Sequence, residues 1–161
     1  MQVHFTWASQ RSAVMAAIIG AGPAAIQAQD NPQFAVAQRF IAECVIQGGD
    51  KKSCATRFFD DCVTQGKGTA LANLQCYDAL ARYWDQEMNQ TYQTLMKQAK
   101  PPLREAVRKG QHTWTAWRDE RCQPWSRIDG SMNRVFGASC RADTIQSRYN
   151  DLDELLKAEG H

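Results

Sequence analysis

Six cysteines, at positions 44, 54, 62, 76, 122 and 140, are the residues of this 161-residue chain with the most chemistry open to them. Thiols can form disulfides, ligate a metal or carry electrons, and their spacing decides among the three. A redox enzyme is expected to show CxxC or a lone low-pKa thiol, and haem attachment needs CxxCH; neither spacing occurs. A zinc site would draw on histidine as well, but beyond the N-terminal segment only His112 and His161 remain, far apart in sequence. His112 reads as an exposed or rim residue. What is left is an even set of thiols, all downstream of an apolar N-terminal stretch, and that pattern reads as the disulfide framework of an exported protein.

Other catalytic constellations fare no better. Paired carboxylates at Asp60-Asp61, Asp119-Glu120 and Asp151, Asp153 and Glu154 suggest the acid and base of a glycosidase, but on helices they are more simply surface charges and dipole partners. Serine, histidine and aspartate can be picked from almost any chain, and no glycine elbow supports a triad here. The reading is therefore not an enzyme, with no catalytic residue, cofactor or metal assigned. Trp114, Trp117, Arg118 and Asp119 stand apart because two tryptophans at spacing three share one helix, with Trp84 on another. Such aromatics build core first, with Arg118 next to Asp119 or facing charges such as Asp85, Glu87 or Arg148. The functional reading is an anchor patch for a partner, since Trp and Arg are enriched among interface hot spots.

The elements that must position these residues follow from the rest of the chain. Residues 1–28 have the parts of a secretory signal: a leader with Arg11, an apolar stretch from Ala13 to Ala25, and Ala28 ahead of Gln29-Asp30. The stretch is about 13 residues, short of the roughly 20 that span a bilayer. Cleavage is expected after Ala28 with no lipid-accepting cysteine at the cut, so the expected product is periplasmic or secreted with no stable membrane anchor. One domain over 29–161 is expected. Its 18 Lys plus Arg face 17 Asp plus Glu once Arg11 is removed, which gives no reason to expect nucleic acid as a partner.

Asn31-Pro32 opens a helix that runs to Gly48-Gly49, and Asp50 caps a second, short one that ends at Gly66-Lys67-Gly68. From Thr69 to Ala99 there is neither Gly nor Pro, and Leu74, Tyr77, Leu80, Ala81, Trp84, Met88, Tyr92 and Leu95 step by three or four, which predicts the longest helix. Pro101-Pro102 ends it and opens a fourth that reaches Cys122. Gln123 to Gly137, with Pro124, Gly130 and Gly137, is expected to be an ordered loop, and a terminal helix follows from Cys140. No window alternates with period two, so the expected fold class is all-α, a small disulfide-stapled bundle or helical hairpin of four to five helices.

Helix geometry constrains the bridges. Cys54 and Cys62, eight residues apart on one straight helix, would be about 12 Å apart, beyond the roughly 7 Å limit of a disulfide. Cys122 with Cys140 would close the expected loop. For the other four, Cys44 with Cys54 and Cys62 with Cys76 competes with Cys44 with Cys62 and Cys54 with Cys76.

Taken in order, Cys62, Cys76, Met88-Asn89-Gln90-Thr91-Tyr92, Gln111-x-x-Trp114-x-x-Trp117-Arg118-Asp119-x-x-Cys122 and Cys140-x-x-x-Thr144-x-x-x-Arg148-x-x-x-Leu152 resemble the LprI-like lysozyme inhibitor family of bacterial exported proteins. The likeness spans about residues 54–156. It implies a helical, disulfide-linked domain and, for the member that named the family, inhibition of lysozyme by direct binding. That member is a lipoprotein, whereas this chain lacks the lipid-accepting cysteine; Met88 replaces a more usual Leu, and Cys44 and Cys54 precede the common pattern. Asn89, Tyr92, Gln111, Trp114, Trp117, Arg118, Asp119 and Arg148 read as structural members of the motif. Trp125, Arg127, Asp129 and Arg134, in the expected loop, are the candidate partner-binding residues. The function expected is an inhibitor that blocks a lysozyme cleft sterically. The competing one is a structural or envelope-stress module that binds another envelope protein or peptidoglycan.

Overall fold

The computed structural model describes residues 31–159; the expected signal segment lies outside them. Among the described residues there are five α-helices and no strand: α1 (Pro32–Ile46), α2 (Lys51–Gln65), α3 (Ala70–Gln98), α4 (Pro101–Cys122) and α5 (Ser131–Glu159), with a 3-10 turn over Gln123–Arg127 between the last two. The all-α expectation holds.

Local chemistry sets the boundaries. The Asn31 side chain accepts from the Gln33 N–H at 3.0 Å, with Pro32 in the first helical turn. Asp50 accepts from the Ser53 N–H at 3.0 Å, and hydrogen bonds from Ser53 hold its carboxyl below the usual carboxylate range. Thr69 accepts from the Ala72 N–H at 3.2 Å to start α3. Lys100 is extended, with ψ of 154°, because Pro101 follows it.

The core lies between α3 and α5, two helices of 29 residues that pack along most of their length, with α1 and α2 against α3. Ala79 and Ala81 on α3 and Ala138 and Ala142 on α5 are all buried. Trp84, 1% exposed, is the largest fully buried side chain, and its ring lies 5.2 Å from that of Tyr149. Phe40 meets Phe58 edge-on between α1 and α2. At the start of α2, the Lys51 ammonium donates to the Glu87 carboxylate and sits 5.4 Å over the Tyr149 ring, which ties α2 to α3 and α5.

Three disulfides staple successive helices: Cys44–Cys54 joins α1 to α2, Cys62–Cys76 joins α2 to α3, and Cys122–Cys140 joins α4 to α5. This is the first of the two arrangements weighed from sequence.

Two expectations need correction. Helix α2 is not short; at 15 residues it equals α1. The loop expected over 123–137 is mostly helical. Pro124 lies in the first turn of the 3-10 segment, where its missing N–H is harmless. The irregular chain shrinks to 128–130, where Gly130 supplies a φ of +118°, and α5 begins at Ser131. Gly137 is inside α5 and does not break it. A Cβ there would lie 3.2 Å from the Trp125 Cβ, so this glycine gives the 3-10 turn room to lie close to the helix.

Candidate functional site

Helix α4 presents an unusual packing problem, because of its 22 residues only Val107 and Cys122 are buried. Polar and aromatic contacts supplement its small apolar face. Arg118 donates from Nε to Asp119 at 2.8 Å, stands 3.7 Å from Asp85 on α3, and stacks 5.3 Å over the Trp114 ring. Asn89 donates to the same Asp85 at 3.0 Å. Gln111 accepts from Arg148 on α5 at 2.9 Å and points its amide nitrogen at the Met88 sulfur. Burial lowers the Arg148 pKa from its ordinary value, against the pull of Asp151. Arg118 through Asp85 thus links α4 to α3, and Gln111 links α4 to α5 through Arg148 and to α3 through Met88, while Asn89, Trp114 and Asp119 hold Asp85 and Arg118 from within their own helices and Tyr92 is half-buried against the core.

Trp117 departs from this pattern. It is 46% exposed, with the Arg121 guanidinium 5.0 Å over its ring. It lines a small cleft of about 240 Å³ in which Asp143 and Asp151 of α5 also take part.

The strongest surface feature is the end of the molecule where α4 passes into α5. Ile128, Met132 and Phe136 are 52%, 48% and 45% exposed. Met132 and Phe136 are one helical turn apart, and Phe136 packs against the half-buried Trp125 at 5.2 Å between ring centres. Arg127 and Arg134 are exposed in the same segment, Arg134 on the face of α5 turned away from Met132 and Phe136, and make no ion pair among the described residues. The Asp129 carbonyl accepts from the Asn133 side chain at 2.8 Å, which fixes the turn into α5. The Cys122–Cys140 bridge closes the segment at its base across a separation of 18 residues.

All four residues chosen from sequence for partner binding therefore fall at this tip, although only Asp129 is in irregular chain; Trp125 and Arg127 are on the 3-10 turn and Arg134 on α5. Ile128, Met132 and Phe136 were missed because the segment was read as a loop. The i, i+4 spacing of Met132 and Phe136 carried the signal.

Next to the tip, a groove of about 590 Å³ runs between α3, the end of α4 and α5. Ala81, Ile145 and Cys122, all buried, contribute apolar lining. Its charged lining comprises Asp78, Arg82, Asp85, Arg118, Asp119 and Arg141, brought together from three helices. The remaining sequence candidates lie elsewhere: His112, Asp60 and Asp61 are exposed on helix surfaces. Among the described residues no group of three or more His, Cys, Asp or Glu side chains is placed to hold a metal, and no helix is long and apolar enough to cross a membrane.

No curated protein and no solved structure matches the chain. A family does. The model of the lysozyme inhibitor LprI family matches residues 62–152. This span starts at the second disulfide and holds the whole of α3 and α4, the tip, the groove and most of α5, leaving out α1 and the Cys44–Cys54 staple. With more than half of its length matched, the chain belongs to the LprI family of lysozyme inhibitors.

Proposed function

We propose that this protein is an exported, single-domain inhibitor that binds a lysozyme directly and blocks its cleft, with no chemistry of its own. The observation that carries the reading is the tip: Ile128, Met132 and Phe136 are exposed on a segment closed by a disulfide, which also carries Arg127 and Arg134, exposed and without an ion pair among the described residues. Exposed apolar side chains grouped in this way favour association with another protein. Glycoside hydrolases of the lysozyme type place a pair of carboxyl groups in the cleft, and two free guanidinium groups complement them. A segment held by a bridge and by helix on both sides loses little conformational freedom on binding. Export through residues 1–28, cleavage after Ala28 and a periplasmic or secreted location are part of the proposal, supported by the disulfide-rich framework.

The test is inhibition of several lysozyme types by the purified, oxidised protein at micromolar excess. Inhibition is expected for at least one type. Combining Phe136→Ser with Arg127→Glu should weaken it about tenfold or more without moving the thermal midpoint appreciably. No inhibition of any type would overturn the reading and leave the tip to another envelope partner.

A further inference from the structure

The groove beside the tip has a charge arrangement that the inhibitor reading does not use. Its carboxylates are already engaged. Asp78 accepts from Arg82 Nε at 2.9 Å and from Asn31 at 3.0 Å; Asp85 accepts from Asn89; Asp119 accepts from Arg118 Nε. The arginines are not used up in the same way. Arg82 and Arg118 each hydrogen-bond to a carboxylate through Nε; the terminal nitrogens of Arg82 make no hydrogen bond or ion pair among the described residues, while Nη1 of Arg118 stands 3.7 Å from Asp85 and its Nη2 has no partner among them. Arg141 makes neither a hydrogen bond nor an ion pair among them.

We infer that this groove binds a small monoanionic ligand, the carboxy-terminal end of a short peptide with small side chains, through a carboxylate held by Arg141 with help from Arg82 and Arg118. Guanidinium forks with open donors match a carboxylate in geometry and charge. Three arginines against three aspartates sum to zero, so the site takes up one added negative charge more readily than the two of a phosphate. The lining holds no aromatic ring, which removes the stacking face a base or a sugar would use. Gln123 and the amide nitrogen of Gln86, whose oxygen accepts from Gln38 at 2.7 Å, suit a peptide backbone, and the apolar lining of Ala81 and Ile145 suits a methyl side chain. A volume of about 590 Å³ is in the ordinary range for small-ligand sites.

The full, oxidised protein can be titrated with N-acetyl-Ala-Ala, in separate L,L and D,D forms, and with the carboxamide of each, while backbone amide shifts are followed by NMR. Saturable shifts centred on Arg82, Arg118 and Arg141 are expected with at least one acid. Its amide should bind about tenfold more weakly or not at all, and Arg141→Gln should lower the affinity of the acid to a similar degree with the spectrum otherwise unchanged. Preference for the D,D form points to a wall-derived peptide and preference for the L,L form to a protein-derived one. The inference is overturned if neither acid gives saturable shifts by several millimolar, if the amide binds as well as the acid, or if Arg141→Gln has no effect.

Discussion

Arg118 illustrates how one side chain can hold a helix that has little apolar surface to bury. Its guanidinium meets Asp119, Asp85 and the Trp114 ring at once. Arg118→Ala is expected to destabilise the fold by about 1 to 2 kcal/mol, and Arg118→Lys to recover less than half of that, because an ammonium cannot reproduce the planar stack and fork. Urea unfolding of the two variants measures both. At the other side of the core, burial works against the Lys51 ammonium, but the Glu87 carboxylate bonded to it outweighs burial and raises its pKa above the ordinary lysine value. Burial, reinforced by Glu87, pushes the Tyr83 hydroxyl up to about 12. Both folded-state values exceed the unfolded ones, so the contribution of these groups is complete below about pH 10 and is lost as pH rises through the folded values. Stability measured stepwise in alkali should fall above about pH 10, and less steeply in Lys51→Met. The Arg118 pairing with Asp119 and Asp85 was among the options visible in the sequence. That Asp78 and Arg141 line one groove was not, since 63 positions separate them and only the helix packing brings them there.

Among the elements, those that end in side-chain chemistry were the most legible. Asn31-Pro32, Asp50, Thr69 and Pro101-Pro102 mark boundaries in the sequence that the structure keeps to within a residue or two. Glycines were less readable, because the same residue can end a helix or admit a neighbour. Gly66 closes α2 with an ordinary φ of −77°, and a Cβ there would lie 2.1 Å from the Ala72 Cβ, so space explains it rather than backbone conformation. Gly66→Ala should therefore lower stability by about 1 to 3 kcal/mol, visible as a fall in thermal midpoint, despite the better helix propensity of alanine. Gly137 was misread for the same reason: its neighbour Trp125 is 12 positions away and invisible to any local pattern.

At the scale of the molecule, α1, α2, α3 and α5 share a continuous core while α4 lies against it largely exposed. Removing the Cys122–Cys140 bridge by replacing both cysteines with serine is expected to cost about 2 to 4 kcal/mol. The loss should be concentrated at the end of α4 and the tip, where amide exchange should rise, and should leave the centre of α3 protected. With 18 Lys plus Arg against 17 Asp plus Glu once residues 1–28 are removed, the protein exerts little long-range pull on a charged partner, so the rate of association with lysozyme should change only a fewfold with salt. Stopped-flow mixing at two ionic strengths would show it.

The staples also have an order. Counted from the N-terminus, the first cysteine pairs with the second, the third with the fourth and the fifth with the sixth, so that no bridge encloses or crosses another. A chain that emerges N-terminus first can therefore oxidise each pair before the next appears, and a simple disulfide oxidant, reduced to its dithiol as each bridge forms, suffices where interleaved pairs would require a shuffling catalyst. Oxidative refolding is therefore expected to speed up with the concentration of oxidant and to gain little from an added disulfide isomerase.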